Sequence, residues 1–201
     1  MDEIRSFIAI ELPGELRRTL SKLQTQLKSG EQRSVKWVDP NSIHLTLKFL
    51  GNITFKQIED VTRAMEQAAA GISPFNLEVK ELGVFPGPKR VRVVWVGLTS
   101  DLDQLKRLQQ KIESTVSPLG FPSKAREFTP HLTLARVRDD ATPQEREALG
   151  QLITSTKAAI DYSFTVDSLN LMRSILSREG AIYSRIAAIP LKPFGQTKMK
   201  V

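Results

Sequence analysis

The histidines of this chain sit in a repeat. Shifting the sequence by 87 positions lays His44-Leu45-Thr46-Leu47 on His131-Leu132-Thr133-Leu134 without a gap. The same shift sets Phe75, Leu77, Val79, Leu82 and Val84 on Tyr162, Phe164, Val166, Leu169 and Leu171. Two capping-box patterns, Thr54 with Gln57 and Thr142 with Glu145, fall within one residue of that register. Alternating strands imitate one another by chance, but an identical tetrapeptide and matched helix starts do not, so the chain reads as an internal duplication.

Hydrophobic periodicity fills in the elements. Ile4 to Leu12 reads as a strand, and Pro13 opens a helix striped by Leu16, Leu20, Leu23 and Leu27. Short and long strands follow at Val35 to Val38 and Ile43 to Leu50, then a helix carrying Ile58, Val61 and Met65. Phe75 to Phe85 and Val91 to Leu98 read as strands around a Pro86-Gly87-Pro88 turn. Asp101 caps a helix striped by Leu102, Leu105, Leu108 and Ile112. A strand around Phe128 to Val137, the helix after Thr142, and strands Tyr162 to Met172 and Ile182 to Leu191 about a turn at Gly180 complete the second half. The expected fold is α+β: two pseudo-symmetric lobes, each a mostly antiparallel sheet with helices on its outer face, and an active-site cleft between the sheets. No Gly/Ser-rich linker separates the halves, so residues 1–201 read as one bilobal domain. Its repeat halves are roughly 1–98 and 99–201, with terminal strands open to exchange between the lobes.

The two His-Leu-Thr-Leu segments hold every histidine of the chain. Strand side chains alternate, so His44, Thr46 and Lys48 are expected on one face and Ile43, Leu45, Leu47 and Phe49 on the apolar one. His131, Thr133 and Ala135 form the matching polar row. An imidazole titrates near pH 6.5, within reach of neutral, and two on opposite sides of a phosphorus can supply a base and an acid. Hydroxyls and nearby cations can stabilise the charge on the phosphoryl oxygens. Two histidines, no cysteine and no carboxylate in either row speak against a metal site, and no cofactor motif is present. The absence of cysteine also excludes disulfides and thiol nucleophiles.

These paired motifs resemble those of the two-histidine (2H) phosphoesterases, most closely the RNA 2′,3′-cyclic phosphodiesterases, also called 2′-5′ RNA ligases. The resemblance runs through Phe7-Ile8-Ala9-Ile10, Leu12-Pro13, Trp37-Val38, His44 to Gly51, Pro130 to Arg136, Leu171, Arg173-Ser174, Gly180 and Tyr183. It implies that His44 is a proton donor and His131 a proton acceptor, with Thr46 and Thr133 on the phosphate. It implies hydrolysis of an RNA terminal 2′,3′-cyclic phosphate to a 2′-phosphomonoester without a metal. Alternatives are 2′-5′ ligation, action on 2′-5′ oligonucleotides or small cyclic phosphodiesters, and a non-catalytic RNA-binding module. Arg136 matches a substrate-binding position, yet strict alternation places it on the wrong face unless a bulge intervenes. Lys48 is a candidate phosphate cation. Phe7 and Trp37 are candidates for base stacking, and Arg90, Arg92, Arg126 and Arg173 for the RNA path.

A formal charge of +7 fits a polyanionic partner, here RNA ending in a cyclic phosphate, tRNA fragments included. The basic stretch Lys192 to Lys200 adds little, since such terminal segments are commonly just solvated. No apolar run approaches membrane-spanning length, and the start Met1-Asp2-Glu3-Ile4-Arg5 lacks a signal-peptide pattern. A cytoplasmic monomer with no membrane contact is expected.

Overall fold

The computed structural model describes residues 3–28, 32–123, 127–157, 160–176 and 181–193. Among these, the chain order is β1 (Glu3–Glu11), α1 (Gly14–Leu27), β2 (Val35–Trp37), β3 (His44–Thr54), α2 (Phe55–Ala69), β4 (Phe75–Phe85) and β5 (Val93–Ser100). It continues with α3 (Leu102–Val116), β6 (His131–Val137), α4 (Pro143–Ser155), β7 (Tyr162–Val166), β8 (Ser168–Leu176) and β9 (Ala181–Pro190). Gly180 and Arg126 lie outside the described residues.

Two antiparallel sheets carry the fold, one ordered β3-β1-β8-β9 and the other β2-β6-β5-β4-β7. Each takes strands from both sequence halves. The expected single strand Tyr162 to Met172 is two strands in different sheets: β7 pairs with β4, and β8 with β1. The chain changes sheets at Asp167, whose carbonyl accepts the Leu191 backbone N–H at 2.7 Å.

Local chemistry accounts for the helices. Both capping boxes form with reciprocal bonds, Thr54 with Gln57 and Thr142 with Glu145, satisfying donors that a helix start leaves open. Asp101 does not cap α3 with its side chain; its carboxylate instead accepts the backbone N–H of Asn76 at 2.9 Å, clipping the helix start to β4. Leu16, Leu20, Leu23 and Leu27 are buried on α1 as their spacing demands. One continuous apolar core takes side chains from both sheets and all four helices.

The same face of α1 buries a polar residue, Gln24. Its Nε2 donates to the carbonyls of Val38 at 2.7 Å and Leu134 at 3.0 Å. The Leu134 carbonyl also accepts the Val38 N–H at 2.9 Å. Leu134 sits at a register shift: Trp95 pairs with Thr133 and Val94 with Ala135, leaving Leu134 as the extra residue of a β-bulge. Gln24 therefore adds a second donor to the Leu134 carbonyl and ties α1 to the end of β2 and to the bulge of β6. Gln24→Leu is expected to lower stability by about 1–3 kcal/mol, the usual cost of stranding buried acceptors. Urea denaturation measures this; a change below roughly 0.5 kcal/mol, as at an ordinary surface site, would refute the role given to Gln24.

Candidate active site

A cleft of about 1580 Å³ lies between the sheets, and both His-x-Thr pairs line it. Its geometry follows from two bulges in equivalent places. In β3 the pairing with β1 jumps from Thr46–Ala9 to Lys48–Ile8, leaving Leu47 extra, as Leu134 is in β6. After each bulge, alternation resumes one residue out of step. His44 and Thr46 remain on the cleft side, Leu47 and Lys48 are both buried, and Phe49 emerges at 53% exposure. His131 and Thr133 behave likewise, with Leu134 and Ala135 buried and Arg136 exposed.

The bulge that Arg136 required is present, and the expectations for Phe49, Ala135 and Lys48 change. Arg136 reaches the cleft because the bulge turns it there. Phe49 belongs to the cleft and not to the apolar face, and Ala135 belongs to the core. Lys48, expected beside the threonines as a phosphate cation, lines the cleft but is only 5% exposed. Its Nζ forms an ion pair with Glu113 of α3 and donates to the Pro122 carbonyl at 2.8 Å. Glu113 also accepts from Gln109 and Ser123, so the lysine's charge is already spent on a packed network.

The two imidazoles are held in the same way. His44 Nδ1 lies 2.8 Å from the Ser42 carbonyl, and His131 Nδ1 lies 2.8 Å from the Thr129 carbonyl. A carbonyl only accepts, so each Nδ1 carries hydrogen and donates. Nε2 is then the nitrogen that exchanges a proton in both rings. Neither the Thr46 nor the Thr133 hydroxyl has a protein hydrogen-bond partner among the described residues.

Aromatic surroundings distinguish the two. Phe7 stacks on His44 with centroids 4.6 Å apart, and Tyr183 stands edge-on to it at 5.0 Å. Phe7 and Tyr183 also touch each other, in a small apolar cluster with Ala9 and Met172. His131 meets the edge of Phe85 at 5.2 Å, and Phe85 stacks on Trp95 at 5.0 Å. Trp95 lies flat across Gly83, where a Cβ would stand 2.3 Å from its ring. Phe7 is thus a wall of the His44 site. Trp37 lies elsewhere, its indole donating to Gln32 with Lys28 over the ring.

Burial pushes the His44 pKa below its ordinary 6.5. The Ser42 carbonyl and Glu11 oppose the shift, while the charges of Arg136 and Arg17 add to it. Arg136 belongs to the opposite sheet, so its effect on His44 means its charge acts across the cleft. Arg90 and Arg92 line the cleft as well, together with Arg5 and Lys89; Arg173 is exposed and lies outside the lining. Phe85 carried no sequence signal for its contact, and Tyr183 was marked only by the family resemblance, since what assembles them is strand pairing between distant segments. Among the described residues no group of three His, Cys, Asp or Glu could hold a metal ion. Among them, too, no helix is long and apolar enough to cross a membrane.

Known proteins are similar to this chain in sequence and in fold. A curated relative from Methanothermobacter thermautotrophicus, an RNA 2′,3′-cyclic phosphodiesterase, is 32% identical over 90% of this chain and 96% of its own length. One of the same name from Aeropyrum pernix is 32% identical over 81% of this chain and 89% of its own. A solved structure from Thermus thermophilus superposes with a TM-score of 0.77 at 27% identity, covering 94% of this chain and 98% of that one. E. coli LigT complexed with 3′-AMP shares the fold, with a TM-score of 0.76 at 23% identity over 95% of this chain and 99% of that one. The family model of the 2′-5′ RNA ligase superfamily matches residues 12–177, a span that contains both histidine motifs and both bulged strands. The chain belongs to that superfamily.

Proposed function

We propose that this protein is an RNA 2′,3′-cyclic phosphodiesterase, opening the cyclic phosphate at the end of an RNA strand to leave a 2′-phosphomonoester. The observation that carries the reading is the matched pair of histidines in one cleft, each with Nδ1 committed to a carbonyl two residues upstream and each beside an unpartnered threonine hydroxyl. The relatives named above act on that substrate by their names, at about 32% identity over most of both chains.

His131 Nε2 takes a proton from water as its oxygen bonds to phosphorus. The bond from phosphorus to the 3′ oxygen breaks, and His44 Nε2–H protonates that oxygen. The product carries a 2′-phosphate and a 3′-hydroxyl. Thr46 and Thr133 donate to the non-bridging oxygens, and Arg136 balances their charge. The Ser42 carbonyl supports the charged form of His44, which the acid role requires. In this scheme Lys48 acts at a distance, packing α3 against β3. A 5′-hydroxyl in place of the water would give 2′-5′ ligation in the same site. The working partner is RNA with a cyclic end, and the working state a monomer. The deciding experiment offers an oligoribonucleotide with a 2′,3′-cyclic phosphate end and identifies the product; an intact ring under all conditions would refute the reading, and chelator should leave turnover unchanged.

His44→Ala and His131→Ala should each lower kcat by roughly two to four orders of magnitude while leaving the fold intact. Near-normal turnover in either would sink the paired mechanism.

The pH profile carries a sign. The acid must hold its proton, so kcat/KM falls as pH rises through the His44 pKa. Burial puts that limb below 6.5 in the free enzyme. A bound phosphate anion stabilises the imidazolium, so the same limb in kcat should lie higher. Arg136→Met removes one charge that holds His44 down, so its kcat/KM limb should move up while KM rises. A limb that stays put in this variant would mean Arg136 does not act on His44.

A 3′-thio substrate separates the roles. A thiolate leaves without protonation, so His44→Ala should regain most of its lost rate on it and His131→Ala should not. Rescue of His131→Ala instead would reverse the assignment.

A further inference from the structure

The seven residues between β4 and β5, Pro86 to Arg92, present three cations to the cleft: Lys89, Arg90 and Arg92, all exposed and all part of its lining. None forms an ion pair among the described residues, and Asp139, the lining carboxylate nearest to Arg136 in sequence, pairs with none of them. Unpaired charges on a mobile loop would mean little, but this turn is fastened at every step. Val91, between the cations, is fully buried. The Arg92 N–H donates to the Phe85 carbonyl at 2.7 Å, and the Arg92 carbonyl accepts the Val137 N–H at 2.9 Å. Arg146 of α4 ties the Val91 carbonyl at 2.8 Å to that of Arg138 at 2.7 Å.

Beneath the turn, α4 approaches so closely that a Cβ on Gly150 would lie 2.0 Å from the Pro88 carbonyl oxygen. Glycine is required here by contact, not by backbone angle. The turn is therefore a rigid basic ledge. It joins the reaction centre at two points: Phe85, just before it, touches His131, and Val93, just past it, pairs with Arg136, whose charge reaches His44. This is the densest group of cations in the lining, whose other arginines, Arg5 of β1, Arg136 and Arg146, stand singly. Elsewhere in the lining, the Lys48 charge is consumed by Glu113, and Glu127 adds a second carboxylate.

We propose that Lys89, Arg90 and Arg92 form a subsite for the phosphates of the RNA chain that precedes the cyclic end, making the enzyme selective for strands over mononucleotides. This rests on the function proposed above and adds to it a direction for the strand. Three phosphates neutralised on a single strand correspond to a slope of about −2 in the log–log dependence of affinity on salt. The ledge touches no reacting atom, so its effect appears in KM and not in kcat.

The test compares a nucleoside 2′,3′-cyclic phosphate with an oligoribonucleotide of several residues bearing the same end, for the wild type and the triple variant Lys89→Ser/Arg90→Ser/Arg92→Ser. In the wild type, KM for the oligonucleotide should be the lower and should rise steeply with salt. In the variant it should rise about tenfold or more, with a salt slope shallower by about two, while kcat and all mononucleotide kinetics stay at wild-type values. Unchanged mononucleotide turnover also shows that the variant is folded. An unaltered oligonucleotide KM, or an equal loss on both substrates, would overturn the ledge. Wild-type inactivity on both substrates would strike the proposed function itself, and is told apart by needing no variant.

Discussion

The site depends on one extra residue in each of two strands. Without the bulge at Leu134, period-two alternation would carry Arg136 into the helix-packed core, where a charge without a partner is prohibitively costly. Without the one at Leu47, Phe49 would be buried and Lys48 would face the cleft. The bulges let a strand keep His and Thr in ordinary alternation and then present its next functional position on the same side. A bulge strands backbone groups, and in β6 the Leu134 carbonyl is satisfied by Val38 and by Gln24 from α1. A single glutamine on a leucine-rich helix face is thus linked, through one carbonyl, to the placement of a cation in the cleft.

The two histidines are equivalent in how they are tethered and different in what surrounds them. The carbonyls of Ser42 and Thr129 fix the same tautomer, leaving catalytic asymmetry to come from the environment. His44 lies between Phe7 and Tyr183, and the low polarity that depresses its pKa also strengthens any interaction with a bound anion. An acid whose proton is held loosely in the empty site and tightly beside a phosphate is matched to the moment at which it must act. In the proposed mechanism Arg136 serves both conditions: its charge disfavours the His44 proton in the empty cleft and would be balanced by a bound phosphate.

Much of this was legible in the residues. The repeat, the α+β class, the capping boxes and the four leucines of α1 are local patterns, and local patterns survive folding. The His-Leu-Thr-Leu pairs announced their cleft because alternation holds across those four positions. It fails one residue later, which is why Lys48 and Phe49 change places: nothing in Lys48-Phe49-Leu50 marks a bulge. Tyr162 to Met172 likewise reads as one strand because both pieces alternate in the same manner. Only the pairing partners, β4 and β1, reveal that it serves two sheets. Asp101 was placed at the right helix start and given the wrong bond, since Asn76, its true partner, is brought there by the β4 pairing.

That exchange of strands has a consequence for catalysis. If each half of the sequence built its own sheet, the cleft would lie between two bodies free to hinge, and the histidines would meet only in one of their arrangements. Here β1 and β3 share a sheet with β8 and β9, while β4 and β5 share one with β6 and β7. Parting the lobes would require breaking a ladder or unravelling the crossing at Asp167, which Leu191 pins. The apolar core runs unbroken behind both sheets. The two imidazoles and the two threonine hydroxyls, which the proposed mechanism uses as acid, base and donors, are therefore set at fixed separations before substrate arrives. Such preorganisation is where most of the advantage of an electrostatic site lies, because little reorganisation remains to be done as charge develops on phosphorus. The two histidine-bearing strands have matching sequences and matching bulges, and interleaving the sheets holds both to a single geometry.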